Sequence, residues 1–186
     1  ARLVGRQMGR LTTVGKFGPG SVIGAASLLT GAACENVIAA DDVVACAIAD
    51  EVWSDLYASE ESFCAWCDQQ VWPQELLQLL ERLDRGLADV DESPLEQLDQ
   101  ALQGAVHCAP TPEAVDTAIA AGQLVYVTSC WGEARVGQQL DAASVLPESE
   151  RFALRLVALA APAAADGEDP PAPLVHADAV ASAELL

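Results

Sequence analysis

The sequence predicts an α+β chain: a β-rich opening segment with trailing helices, then a small second α/β module. Three observations predict this class. Residues 1–17 interleave Leu11, Val14 and Phe17 with Thr, Gly and Lys, and glycines punctuate the run at 5, 9 and 15, which reads as β. From Asp50 the apolar spacing becomes helical, and polar residues 86–93 then divide the helices from a further mixture of helices and strands. Domains are accordingly expected at 1–90 and 91–160, with an Ala/Pro/Asp-rich linker over 161–186.

Taken in order, Phe17-Gly18-Pro19-Gly20 is a turn signal, because Pro fixes φ and Gly permits φ > 0. Ala25 to Leu29 forms one or two helical turns, ended by Gly31. The apolar runs 36–40 and 43–48, joined by Asp41-Asp42, look like paired strands. Val52, Trp53, Leu56 and Tyr57 fit a helix capped by Asp50, and residues 60–70 form a second. Trp72-Pro73-Gln74-Glu75 opens a third helix with Pro in its first turn. Leu76, Leu80 and Leu83 share one face of it, widened by Leu77 and Leu79.

In the second module, Ser93-Pro94-Leu95-Glu96 reads as a capping box ahead of Leu95, Leu98 and Leu102. Thr111-Pro112-Glu113 starts another helix, with Val115, Ala118 and Ile119 inward and Gly122 as its stop. Leu124-Val125-Tyr126-Val127 is a short strand, a less regular stretch follows, and residues 154–159 form a final strand.

Composition narrows the function classes. A formal net charge of -19 disfavours nucleic acid and anionic lipid, both of which need clustered Lys and Arg. No apolar run approaches the roughly 20 residues of a membrane helix, and no signal-peptide layout opens the chain. The start at Ala1 reads as a cut from something longer. Six cysteines, several inside apolar runs, favour packing in a reducing cytoplasm over a disulfide framework.

Residues 15–48 carry a resemblance to a known family. Gly15-Lys16-Phe17-Gly18-Pro19-Gly20-Ser21-Val22-Ile23-Gly24-Ala25-Ala26-Ser27-Leu28-Leu29, followed by residues 37–48, resembles the second half of a cyclic-nucleotide-binding domain. The resemblance covers roughly residues 1–85 and implies a truncated β-roll with trailing helices. It also implies a phosphate-binding cassette over Gly24, Ala25, Ala26, Ser27, Ala33 and Cys34. In that family a short helix holds the cyclic phosphate at its backbone amides, a glutamate accepts from the ribose and an arginine pairs the charge. Gly24 matches the cassette glycine. The glutamate position falls on Ala25 and the arginine position on Ala33, and no Lys or Arg occurs from Phe17 to Glu81.

Losing the charge-assisted bond costs about 1.5–3 kcal/mol, roughly one to two powers of ten in affinity. Neighbouring Glu35, Asp41 and Asp42 worsen it. The expectation is no tight binding of cAMP or cGMP and no cofactor. The predicted role is a non-catalytic regulatory or docking module that meets a protein partner or the rest of a larger chain. The arrangement also resembles the N-terminal region of bacterial secretion transporters of the ATP-binding-cassette type. The alternative is a sensor of a non-canonical, neutral small molecule.

Other signals have bland readings that weigh more. Cys64-Ala65-Trp66-Cys67 has redox or zinc spacing, with His107-Cys108 as the nearest further ligands, but the pair sits among helices and reads as packing. Ser129-Cys130 with His107 or His176 lacks a nucleophile elbow. The tryptophans at 53, 66 and 72 read as helix packing.

Overall fold

The computed structural model describes residues 1–7, 10–83, 94–146 and 152–161. Strands β1 (Arg2–Gln7) and β2 (Arg10–Lys16) pair antiparallel, and the two-residue β3 (Val37–Ile38) lies on the other side of β1. The register shifts between Leu3 and Val4, where Leu3 faces Gly15 and Val4 faces Thr13. The bulge turns Val14, the residue thus left over, into the core at 1% exposure.

Beyond β2 the amide of Ser21 donates to the Gly18 carbonyl at 3.2 Å, and Gly20 sits at φ 82, as the Gly-Pro-Gly signal requires. Helix α1 (Ala25–Thr30) follows and ends at Gly31 in the left-handed region, again as the sequence predicts. Three helices come next: α2 (Asp50–Ser59), α3 (Glu61–Asp68) and α4 (Pro73–Arg82). Asp50 is not the cap of α2. Ala49 occupies that position without a side-chain bond, and Asp50 lies in the first turn, where a carboxylate complements the helix dipole.

In α4, Pro73 stands in the first turn and Leu76, Leu77, Leu79 and Leu80 are buried. The C-terminal half adds α5 (Pro94–Gly104), β4 (Val106–Cys108), α6 (Pro112–Ala120), β5 (Gln123–Val127), β6 (Gln139–Leu140) and β7 (Leu156–Ala160). The capping residue Ser93 lies outside the described residues, as does the boundary at 86–93. Thr111 Oγ1 accepts from the Ala114 amide at 3.3 Å and caps α6. The four strands form one antiparallel sheet in the order β4-β7-β5-β6. The fold is thus α+β, with one three-stranded and one four-stranded sheet among the described residues.

Two features differ from the sequence reading. Residues 43–48 do not pair with 36–40: only Val37 and Ile38 enter a sheet, against Arg2 and Leu3 of β1. A tight hairpin needs residues at φ > 0, and no glycine lies between Gly31 and Gly86 to supply one. The short strands β4 and β6 were not expected either. Each is held by its neighbour's ladder rather than by its own composition.

One of the buried clusters among the described residues spans both halves. Leu3 and Val14 of the first sheet, the α4 leucines, Leu98 of α5, Tyr126 of β5, and Val157 and Leu159 of β7 form one buried cluster. No helix of the described residues is long and apolar enough to cross a membrane.

Candidate functional site

Four of the six residues expected to form a cassette lie along a cleft of about 1030 Å³. Its walls are the Phe17–Gly20 turn, α1 with the loop that follows it, and residues 43–48, with Trp53 and Trp131 between them. Gly24, Ala25, Ser27 and Ala33 line it, whereas Ala26 and Cys34 do not. Ala26 and Cys34 instead pack, together with the inner side of Ala25, into a core of Leu29, Trp53, Cys67, Trp72 and Phe152.

Ser27 is turned inward as well. Its Oγ accepts from the Cys34 amide at 3.2 Å and lies 3.6 Å from the Cys34 thiol. Burial, offset by the Ser27 and Thr30 hydroxyls, pushes that thiol above its ordinary range. The predicted residues are therefore brought together, but most of their polar groups are used within the chain.

The residue that sequence reasoning missed is Glu35. It figured there only as an unfavourable neighbour. In the structure the Gly24 amide donates to Glu35 Oε2. Gly24 holds φ 94, a left-handed conformation that aims its amide at the carboxylate without a side-chain penalty. Burial pushes the Glu35 carboxyl up, and the amides of Gly24 and Ala26 pull it back. The second oxygen, Oε1, is buried with no hydrogen-bond partner among the described residues.

An anion thus already sits on the amides at the start of α1, and it belongs to the chain. No Lys or Arg lines the cleft, and Arg2 is solvent-exposed. The side chains of Arg6 and Arg10 lie outside the described residues.

The other end of α1 is held by the loop after β5. Cys130 donates its amide to the Thr30 carbonyl at 2.8 Å and its thiol to the Gly31 carbonyl at 2.9 Å. Trp131 Nε1 donates to the Leu29 carbonyl at 2.8 Å. Three carbonyls at the helix end are satisfied from a segment about a hundred residues away. Gly31 permits this approach: a Cβ there would stand 2.9 Å from the Trp131 ring.

A buried polar network ties α4 to the residues just before β7. Arg155 is 1% exposed and Glu75 is fully buried. Arg155 Nε donates to Glu75 Oε1 at 3.0 Å and Nη2 to Oε2 at 2.9 Å. Its remaining donors reach the Cys67 carbonyl at 3.0 Å and the Gln70 carbonyl at 2.6 Å. Thr128 Oγ1 donates to Glu75 Oε1, and Ser129 Oγ accepts from the Arg155 amide at 3.1 Å. Asp68 lies 3.7 Å from Arg155 and accepts from Tyr57 at 2.7 Å. Burial first, then the neighbouring Asp68, pushes the Tyr57 phenol upward.

This network locates the remaining sequence candidates. Ser129 is buried, and its hydroxyl serves the backbone of β7's approach. Cys67 is buried, with its thiol pushed up to about 12 by burial and Asp68. Cys64 donates to Asp68 at 3.5 Å. His107 lies on β4, its basicity lowered by burial and by Arg155. Among the described residues no three His, Cys, Asp or Glu side chains converge as metal ligands would. His176 lies outside the described residues.

Compared with known proteins, the chain matches no family model, no curated protein and no solved structure.

Proposed function

We propose that this chain is a non-catalytic regulatory or docking module whose cyclic-nucleotide-type cassette is degenerate. One observation carries the reading: the Glu35 carboxylate occupies the Gly24 amide in a cleft that, among the described residues, no Lys or Arg side chain lines. A cyclic phosphate would have to displace that carboxylate and then sit beside it uncompensated. Like charges about 4 Å apart repel by about 4 kcal/mol at an effective dielectric of 20. Together with the missing arginine, this removes useful affinity at cellular nucleotide concentrations.

The truncated β-roll and the parent of the ATP-binding-cassette secretion type belong to the same proposal. They rest on residues 15–48 and on the order of turn, short helix and trailing helices. Titration calorimetry with cAMP and cGMP tests the reading. The expected result is no binding heat for either nucleotide. Micromolar affinity for one of them refutes it.

A second reading has its own support, because the cleft is walled by Val22, Ile23, Val43, Ile48, Trp53 and Trp131. Such a lining suits a neutral apolar molecule. A thermal-shift screen of neutral ligands separates the two: a ligand at 100 times its dissociation constant stabilises by about 2.7 kcal/mol.

A further inference from the structure

We propose that residues 43–48 take up an extended peptide strand whose apolar side chains are flanked by Lys or Arg. This deepens the docking reading above and rests on it. The segment reads Val-Val-Ala-Cys-Ala-Ile, with three β-branched residues in six. Val43 is 53% exposed, Val44 101% and Ile48 58%, and Ile23 across the cleft is 47% exposed. Among the described residues, none of the backbone N–H or C=O groups of 43–48 forms a backbone hydrogen bond. The segment is therefore apolar, strand-prone and unpaired along one wall of a cleft, the combination that accepts an added strand.

Charge selects the occupant. Asp41 and Asp42 precede the segment, Asp50 and Glu51 follow it, and no Lys or Arg stands between Phe17 and Glu81. An incoming strand with basic residues at both ends meets a carboxylate pair at each end, while its core satisfies the ladder and the apolar wall. A second copy of this chain brings the same acidic ends, under a net charge of -19, and is repelled. A small apolar molecule cannot satisfy the row of backbone groups.

The test uses an acetylated, amidated peptide, Lys-Arg-Thr-Val-Thr-Ile-Thr-Val-Lys-Arg, titrated into the whole chain by calorimetry, with amide hydrogen exchange as a site readout. Expected are a micromolar dissociation constant and slowed exchange confined to 43–48. Val44→Asp, at a fully exposed side chain, should weaken binding about tenfold or more. Asp41→Asn with Asp42→Asn should weaken it about fivefold and flatten the salt dependence.

No binding at about 1 mM overturns the proposal. So does equal affinity for a peptide with Glu in place of the flanking basic residues. Concentration-dependent self-association that Val44→Asp abolishes also overturns it, in favour of a second copy. A silent peptide beside silent nucleotides removes the strand and leaves the degenerate cassette standing; nucleotide binding removes the cassette reading itself.

Discussion

Replacing Arg155 by Met tests how the two halves of the chain are held together. The guanidinium is 1% exposed and donates to both oxygens of a fully buried carboxylate at 3.0 and 2.9 Å. Methionine keeps much of the stem's volume and removes the charge. Glu75 then remains buried, with Thr128 and a weak bond from the Trp72 amide at 3.4 Å as its partners. Breaking a buried pair from one side costs about 3–5 kcal/mol, because the surviving charge is uncompensated. The Cys67 and Gln70 carbonyls lose their donors as well, which places the expected value in the upper half of that range.

For a chain of this size each kcal/mol moves the melting temperature by about 2–4 °C, so the midpoint should fall by about 8–20 °C. Thermal and urea unfolding, followed by both tryptophan fluorescence and circular dichroism, supply the measurement. The double variant with Glu75→Met should recover at least half of the loss, because a matched apolar pair leaves no stranded charge. A single variant within about 1 kcal/mol of the parent refutes the reasoning, as does a double variant as unstable as the two singles added together.

Three further outcomes follow from particular contacts. Gly31→Ala places a methyl 2.9 Å from the Trp131 ring at φ 68, so it should cost about 1–3 kcal/mol and red-shift the tryptophan emission. Glu35→Gln keeps an acceptor for the Gly24 amide and removes a charge that burial disfavours. Since the folded carboxyl titrates above its ordinary range, the penalty is absent at low pH and present once the group ionises. The variant should therefore melt higher than the parent near pH 7, with the gap closing as pH falls through the glutamate range. Finally, exposed Cys46 should react with a disulfide reagent at pH 8 well before Cys34 and Cys67, whose thiols burial pushes up; simultaneous labelling of all three contradicts the buried placements.

Local chemistry was the legible part. Pro73 and the leucine spacing announced α4, Thr111-Pro112 announced α6, and Gly20 and Gly31 adopt the positive φ that their places in the sequence require. Each of these depends on residues within one or two turns of one another. What the sequence did not disclose depends on partners far apart in the chain. Glu75 reads locally as an ordinary first-turn acid, and Arg155 as a charge interrupting a strand. Only the packing of α4 against β7's approach, eighty residues later, makes them a buried pair. The same holds for Trp131, whose indole serves a helix 102 residues earlier. Residues 43–48 show the converse: strand composition predicts pairing, yet composition cannot supply the turn that would bring a partner into register.

The cassette illustrates why an absent cation and a present anion are different statements. In the sequence, Ala33 stands where the family resemblance expects an arginine. That alone describes an empty place, which a single substitution could fill. In the folded chain Glu35 has already taken the Gly24 amide, and Ala25, Ala26, Ser27 and Cys34 are turned toward the core or toward one another. An arginine introduced at 33 would stand two residues from Glu35, whose carboxylate competes with any ligand for its charge. Building a phosphate site at this position therefore requires removing an internal ligand as well as adding a charge. The amides that make a helix start attractive to anions are here committed to holding the 31–35 loop against α1.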